Sequence, residues 1–324
     1  MSSKEFKNSF SHNIFKLKYA LTQDESWHQR AITIVDYVCG TADGTQHPIL
    51  SQSERDQLIE YITDFKFLPG GRYIYYTGRE ARYYNNCFLL RAESDTREEW
   101  ASLIQRAMSC LMTGGGIGIN YSRLRPAGRS LRRTGGIASG PIPLMYAINE
   151  IGRNVMQGGS RRSALYASLN WRHEDIESFL KAKNWQNMSI GNSGYTLKQA
   201  KQDDFNFPAP LDMTNISVNY DDAWLLKNAT QDSSFGHLER AKDPTFLENC
   251  RQAMSTGEPG FSFNFGGKEN ETLRNACGEV TSEDDSDVCN LGSINIGSIE
   301  SLEEFRSVVN LASKFLVCGT AFYQ

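Results

Sequence analysis

From Thr96 onward, segments with helical spacing of apolar residues alternate with short apolar runs, and glycines mark several of the changes. Thr96 to Met112 sets Trp100, Leu103, Ile104, Met108 and Leu111 on one helical face and stops at Gly114-Gly115-Gly116. Leu144 to Met156 repeats that spacing with Leu144, Ile148, Ile151 and Val155. Ser163 to Asn170 reads as a strand and Asp175 to Lys183 as a helix. Helices are expected again at Asp221 to Lys227 and Pro244 to Thr256, followed by an alternating strand at Phe261 to Phe265. Strands separated by helices predict an α/β architecture.

Residues 1 to 68 read as an N-terminal helical segment, with a helix-like spacing from Ser51 to Phe67 that closes at Pro69-Gly70-Gly71. Short strands are expected at Tyr73 to Tyr76 and Phe88 to Leu90, and a polar inserted loop from Asn184 to Met213. The last helix opens on a capping box, Ser301 with Glu304, and Gly319 is its expected terminator.

Composition narrows the function classes. A formal charge of -4 gives no electrostatic reason to expect nucleic acid or an anionic membrane as partner. No apolar run approaches the roughly 20 residues that a membrane span needs. Seven scattered cysteines point to a reducing cytoplasm. The five histidines lie far apart, so no metal site is expected, and C-x-x-C is absent.

Three cysteines have distinctive neighbours: Asn85-Asn86-Cys87-Phe88, Asn275-Ala276-Cys277-Gly278-Glu279 and Cys289-Asn290-Leu291-Gly292. On a strand, residues 275, 277 and 279 would point the same way, so that amide, thiol and carboxylate would face one substrate. Cys110 and Cys250 fall on apolar helix faces and read as core residues.

With these three motifs in this order, the chain resembles a ribonucleotide reductase catalytic subunit, most closely the adenosylcobalamin-dependent branch (class II) and its phage relatives. Further segments agree in collinear order, among them Phe67-Leu68-Pro69-Gly70-Gly71-Arg72, Gly114-Gly115-Gly116-Ile117-Gly118, Thr214-Asn215-Ile216-Ser217-Val218 and Gly257-Glu258-Pro259-Gly260. The resemblance implies a ten-stranded α/β barrel built from two five-stranded halves. Residues 69–324 would supply its first half, with the finger loop near 277, and the second half would come from a partner polypeptide.

The resemblance also implies roles. Cys277 would carry the thiyl radical that abstracts the ribose 3′-hydrogen, Glu279 would act as general base and Asn275 would hydrogen-bond the ribose hydroxyls. Cys87 and Cys289 would supply two electrons by forming a disulfide, later reduced by an external thiol. Adenosylcobalamin is the leading radical source, and a separate ferritin-like, metal-containing subunit is the alternative. A non-catalytic nucleotide-binding remnant is the rival from another class, and the intact set of five residues argues against it.

Two segments, Thr134 to Pro141 and Gln157 to Ala164, resemble the family's effector loops, where a deoxynucleotide or ATP at a homodimer interface selects the base. Gly135, Gly136, Ser139, Gln157, Gly158, Gly159, Arg161 and Arg162 are the positions concerned. Ordinary glycine-rich turns would look the same. The Leu144 to Met156 helix reads equally as a dimer contact or a core helix, Gly114 to Gly118 as structural backbone, and His173 and Asp175 as helix caps.

Overall fold

The computed structural model describes residues 6–40, 49–132, 135–155, 163–227, 243–268 and 270–321. Two compact units divide the chain: Met1–Asn86 with Cys289–Gln324, and Cys87–Val288.

The first unit begins with α1 (Ser9–Ile14), α2 (Trp27–Cys39) and α3 (Gln52–Thr63). Ser26 with Gln29 and Ser51 with Glu54 form reciprocal capping boxes that start the two longer helices. Their inward faces bury Trp27, Ile34, Val38, Leu58 and Ile62 in one cluster. The helix expected to run on to Phe67 stops at Thr63; Phe65 takes a left-handed φ of 57° and β1 (Phe67–Pro69) follows.

The expected strand at Tyr73 to Tyr76 is instead a helix, α4 (Gly71–Tyr76). The Gly70 carbonyl accepts from Tyr73 N–H, and Tyr73 stacks on Tyr84 with ring centroids 5.0 Å apart. A run of aromatic residues carries no period of its own, so tertiary packing chose the conformation.

In the second unit the chain runs β2 (Cys87–Arg91), α5 (Arg97–Met112), β3 (Gly116–Asn120), α6 (Ile142–Asn154), β4 (Leu165–Asn170) and α7 (Ile176–Leu180). It continues through α8 (Leu197–Asp203), β5 (Thr214–Asp221), α9 (Asp222–Lys227), α10 (Pro244–Thr256), β6 (Gly260–Asn264), β7 (Leu273–Arg274) and β8 (Thr281–Ser282) to β9 (Asp287–Cys289), whose last residue is counted with the first unit. Strands β2 to β6 are all parallel, in the order β6-β5-β4-β3-β2, with β9 outside β2. This is the α/β architecture the alternating pattern predicts, with five parallel strands among the described residues.

Side-chain alternation divides the sheet into two faces. Leu90, Ile117, Ile119, Leu165, Ala167, Leu169, Ile216 and Val218 pack with Leu103, Ala107, Leu111, Leu144 and Ile148 of the helices. The apolar face of α6 therefore packs in the core. Cys87, Gly116, Gly118, Asn120, Tyr166, Ser168, Ser217 and Asn219 occupy the alternate positions on the opposite face. The stretch expected to be a loop, 184 to 213, contains a 3₁₀ turn (Trp185–Asn187) and α8, whose Thr196–Gln199 capping box is readable in the sequence.

The return segment of the first unit adds β10 (Gly292–Ile294), antiparallel to β1, and α11 (Leu302–Ala321). Ser301 Oγ accepts from Glu304 N–H as expected, but the Glu304 carboxylate caps Glu300 N–H instead of closing the box. Gly319 does not end the helix. A Cβ there would lie 2.1 Å from the Tyr73 hydroxyl, so the glycine serves close packing rather than termination.

Candidate active site

Two glycines on β3 make room for a crossing chain. A Cβ at Gly118 would stand 1.8 Å from the Arg274 carbonyl oxygen, and one at Gly116 would stand 2.8 Å from Ala276 Cβ. The segment carrying Cys277 therefore lies directly on β3, on the face away from the helices. Glycine at i and i+2 of one strand is the sequence signal for such an approach. Gly114 to Gly118, read as structural backbone, is the seat of the loop.

Both flanks of the loop are tied down. Before the tip, Glu271 accepts from Asn120 Nδ2 at 2.9 Å and Asn170 Nδ2 at 3.1 Å, at the ends of β3 and β4. After the tip, Asp285 accepts from Arg91 N–H and from the Arg106 guanidinium, both at 2.6 Å. Arg274 spans the sheet: its Nε donates to Ser262 Oγ on β6 at 2.7 Å and its Nη1 to the Gly278 carbonyl at 3.0 Å. Both amide atoms of Asn219 and of Asn264, and the Thr272 hydroxyl, are buried without a partner among the described residues. Glu271, Arg274 and Asp285 carry no motif, and sequence reasoning missed them.

Residues 275 to 279 form a tight turn, correcting the strand expected there. Gly278 takes a φ of 86°, which glycine adopts without strain. Asn275 is fully buried and organises the turn: its Oδ1 accepts from Gly278 N–H at 2.9 Å and Val280 N–H at 3.2 Å. Its Nδ2 donates to Glu279 Oε1 at 2.9 Å. The amide and the carboxylate are thus joined by a bond across the turn, not by strand alternation. Cys277 and Glu279 are exposed at the tip.

Cys87 is the first residue of β2 and is buried. Its sulfur would lie 3.4 Å from a Cβ at Gly116, the same glycine that receives Ala276. Cys87 and the residue beside Cys277 therefore converge on one point of β3. Cys289, also buried, belongs to the other compact unit.

Of the expected effector positions, Gln157, Gly158, Gly159, Arg161 and Arg162 lie outside the described residues. The earlier segment doubles back: Leu131 N–H bonds the Gly136 carbonyl at 2.7 Å and Ala138 N–H the Arg129 carbonyl at 2.7 Å. Gly135 takes a φ of 70° with open space around it. Beside this hairpin is a cavity of about 860 Å³ lined by Arg97, Arg125, Arg129 and Arg132, with Asp95 and Glu98. Ser139 and Gly140 line an adjoining cavity of about 290 Å³. Asp175 occupies the position before α7, but its carboxylate accepts from Ala127 N–H at 3.0 Å instead of capping that helix.

Cys110 packs against the core, and burial pushes its thiol up to about 11. Among the described residues no cluster of His, Cys, Asp or Glu could hold a metal ion, and no helix is long and apolar enough to cross a membrane.

Residues 85–219 match the family described as ribonucleotide reductase, barrel domain. The chain is 28% identical over 298 residues to the vitamin B12-dependent ribonucleoside-diphosphate reductase of Mycobacterium tuberculosis, covering 85% of this chain and 40% of that protein. It is 27% identical over 274 residues to the Thermoplasma acidophilum reductase of the same name, covering 79% and 33%. The Actinobacillus ureae class Id ribonucleotide reductase alpha subunit shares the fold, with a TM-score of 0.71 at 16% identity, over 99% of this chain and 56% of that one. The chain spans less than half the length of these curated relatives.

Proposed function

We propose that this chain is the finger-loop-bearing part of a ribonucleotide reductase, reducing ribonucleotides to deoxyribonucleotides for DNA synthesis together with a polypeptide that supplies the second half-barrel. The observation that carries the reading is the seating of the Cys277 loop on the Gly116 and Gly118 positions of β3, with the Cys87 sulfur at the same glycine.

In this reading Cys277, as a thiyl radical, takes the 3′-hydrogen of the ribose while Glu279 accepts the 3′-hydroxyl proton. Asn275, for which the resemblance implies hydrogen bonds to the ribose hydroxyls, is fully buried here and holds Glu279 in place. Loss of the 2′-hydroxyl as water requires two electrons and two protons. Cys87 and Cys289 provide both by becoming a disulfide, and an external thiol resets the pair. Adenosylcobalamin would supply the one-electron oxidation of Cys277 when bound, and the exposure of Cys277 fits a group approaching the tip from outside. No described residue is assigned to hold it. The arginine-lined cavity beside the 128–138 hairpin suits a nucleotide effector's phosphates, within a homodimer.

Reduction of radiolabelled cytidine nucleotide tests the proposal. The chain is mixed with the C-terminal half-barrel polypeptide, with and without adenosylcobalamin. Activity that requires cobalamin and disappears in Cys277→Ser supports the full reading. Activity that requires a ferritin-like subunit instead keeps the reductase and replaces the radical source. Turnover that survives Cys277→Ser overturns the assignment.

A further inference from the structure

Asn275 holds the Cys277 turn together from within: its Oδ1 accepts from Gly278 N–H and Val280 N–H, partners three and five residues away. Bonds this local keep the turn's shape without setting the direction in which it points. Gly278, between Cys277 and Glu279, has a φ of 86° and open space where a Cβ would stand, so packing does not restrain it there. Arg274 supplies a tie from this residue to the sheet. Its Nη1 donates to the Gly278 carbonyl at 3.0 Å and its Nε to Ser262 Oγ at 2.7 Å. Ser262 is fully buried on β6, and Nη2 reaches the neighbouring Phe263 carbonyl at 3.5 Å.

We propose that Arg274 is a positioning residue: it ties the peptide between Cys277 and Glu279 to strand β6 and so fixes how both side chains face the substrate.

All three acceptors are neutral oxygens, so what Arg274 contributes is geometry more than ion pairing. Nε and the Nη atoms donate from different edges of one rigid plane, and two acceptors held by that plane keep a fixed separation and angle. A lysine offers its donors from one nitrogen on a flexible stem and cannot hold both in that way. Gly278 is thereby pinned at each end, its N–H by Asn275 and its carbonyl by Arg274. Without the second bond the Gly278–Glu279 peptide is free to rotate, and thiol and carboxylate lose their common orientation. Arg274 acts through Gly278 and needs no contact with the substrate.

The consequence for turnover rests on the reductase reading, whereas the tie itself is tested on the chain alone. Hydrogen exchange at the Gly278 and Val280 amides should accelerate about tenfold in Arg274→Ala, Arg274→Lys and Ser262→Ala, with β3 and β4 equally protected in all chains. The double variant Arg274→Ala/Ser262→Ala should match Arg274→Ala, because the serine acts only through the arginine. In the enzyme reconstituted with the C-terminal half-barrel polypeptide, kcat per folded chain should fall about 10- to 100-fold in Arg274→Ala. Added guanidinium ion, well below denaturing concentration, should restore part of it, which repair of a merely weakened fold would not do. Circular dichroism checks folding, and if Arg274→Ala does not fold, Ser262→Ala decides. Unchanged exchange in the variants, or effects of the two residues that simply add, would overturn the tie. An unchanged kcat in a variant whose exchange is accelerated would overturn the positioning role. Accelerated exchange in the variants of a parent that shows no turnover would uphold the tie and count against the reductase reading instead.

Discussion

Gly118→Ala is the sharpest probe of the loop's seat. A strand glycine normally gains from alanine, by about 0.5–1 kcal/mol, because alanine loses less backbone entropy on folding. Here the new Cβ would stand 1.8 Å from the Arg274 carbonyl oxygen and 2.8 Å from its carbon. Real Cβ atoms essentially never approach other heavy atoms closer than 3.0 Å, so the loop must lift by about 1.2 Å. Strand β3 cannot yield, since it is hydrogen-bonded to β2 on one side and β4 on the other. Overpacking of this kind costs about 1–3 kcal/mol, so the sign of the effect reverses and the variant should be less stable. A shift of about 1 Å at a reacting group costs on the order of 100-fold in rate, about 2.7 kcal/mol. Urea unfolding and the rate of Cys277 alkylation would be measured on the chain alone, and turnover on the reconstituted enzyme. Gly136→Ala is the control: its Cβ meets only Leu131 Cδ1, at 3.9 Å, and should change stability by less than about 0.5 kcal/mol. A Gly118→Ala chain that is as stable as the parent, with Cys277 alkylated at the same rate, would refute the seat.

Other consequences are as concrete. Asn275→Ala removes the acceptor for Gly278 and Val280 N–H, so hydrogen exchange at those two amides should accelerate while protection of β3 and β4 stays unchanged. Equal exchange in both chains would show that the turn does not depend on this side chain. Gly319→Ala should destabilise the first unit by about 1–3 kcal/mol, and adding Tyr73→Phe should recover only part, since the ring carbons also lie within 2.7 Å of the new Cβ. Full recovery, or none, would disprove the clash. Burial opposes ionisation of Asp212, but bonds from Arg153, Lys201 and Asn149 outweigh it and hold its carboxyl below the usual range. A depressed folded pKa gives stability that is present above the unfolded value of about 3.9 and is lost as pH falls through the folded one. Asp212→Asn should flatten that acid limb in urea unfolding followed from pH 6 to pH 2; an unchanged slope would count against it.

The α/β class was legible in the sequence because two periods are written into it, near 3.6 for α5, α6 and α10 and near 2 for the strands, whose one face is buried under those helices. The cap at Ser301 was legible because it is satisfied within four residues. The cysteine motifs marked residues of interest by their immediate neighbours. What joined them was not local. Tyr73 to Tyr76 became a helix through Tyr84, Gly319 stayed inside one because Tyr73 fills the space of a side chain, and Asn275 met Glu279 across a turn. Gly116 and Gly118 read as backbone, and only the arrival of a segment some 150 positions later gave them a purpose. The sequence by itself determined the helices and strands whose period is written over several turns or residues, since periodicity and capping act locally. Only the tertiary structure decided where the Cys277 loop rests, because that depends on contacts between residues far apart in the chain, which no local pattern encodes.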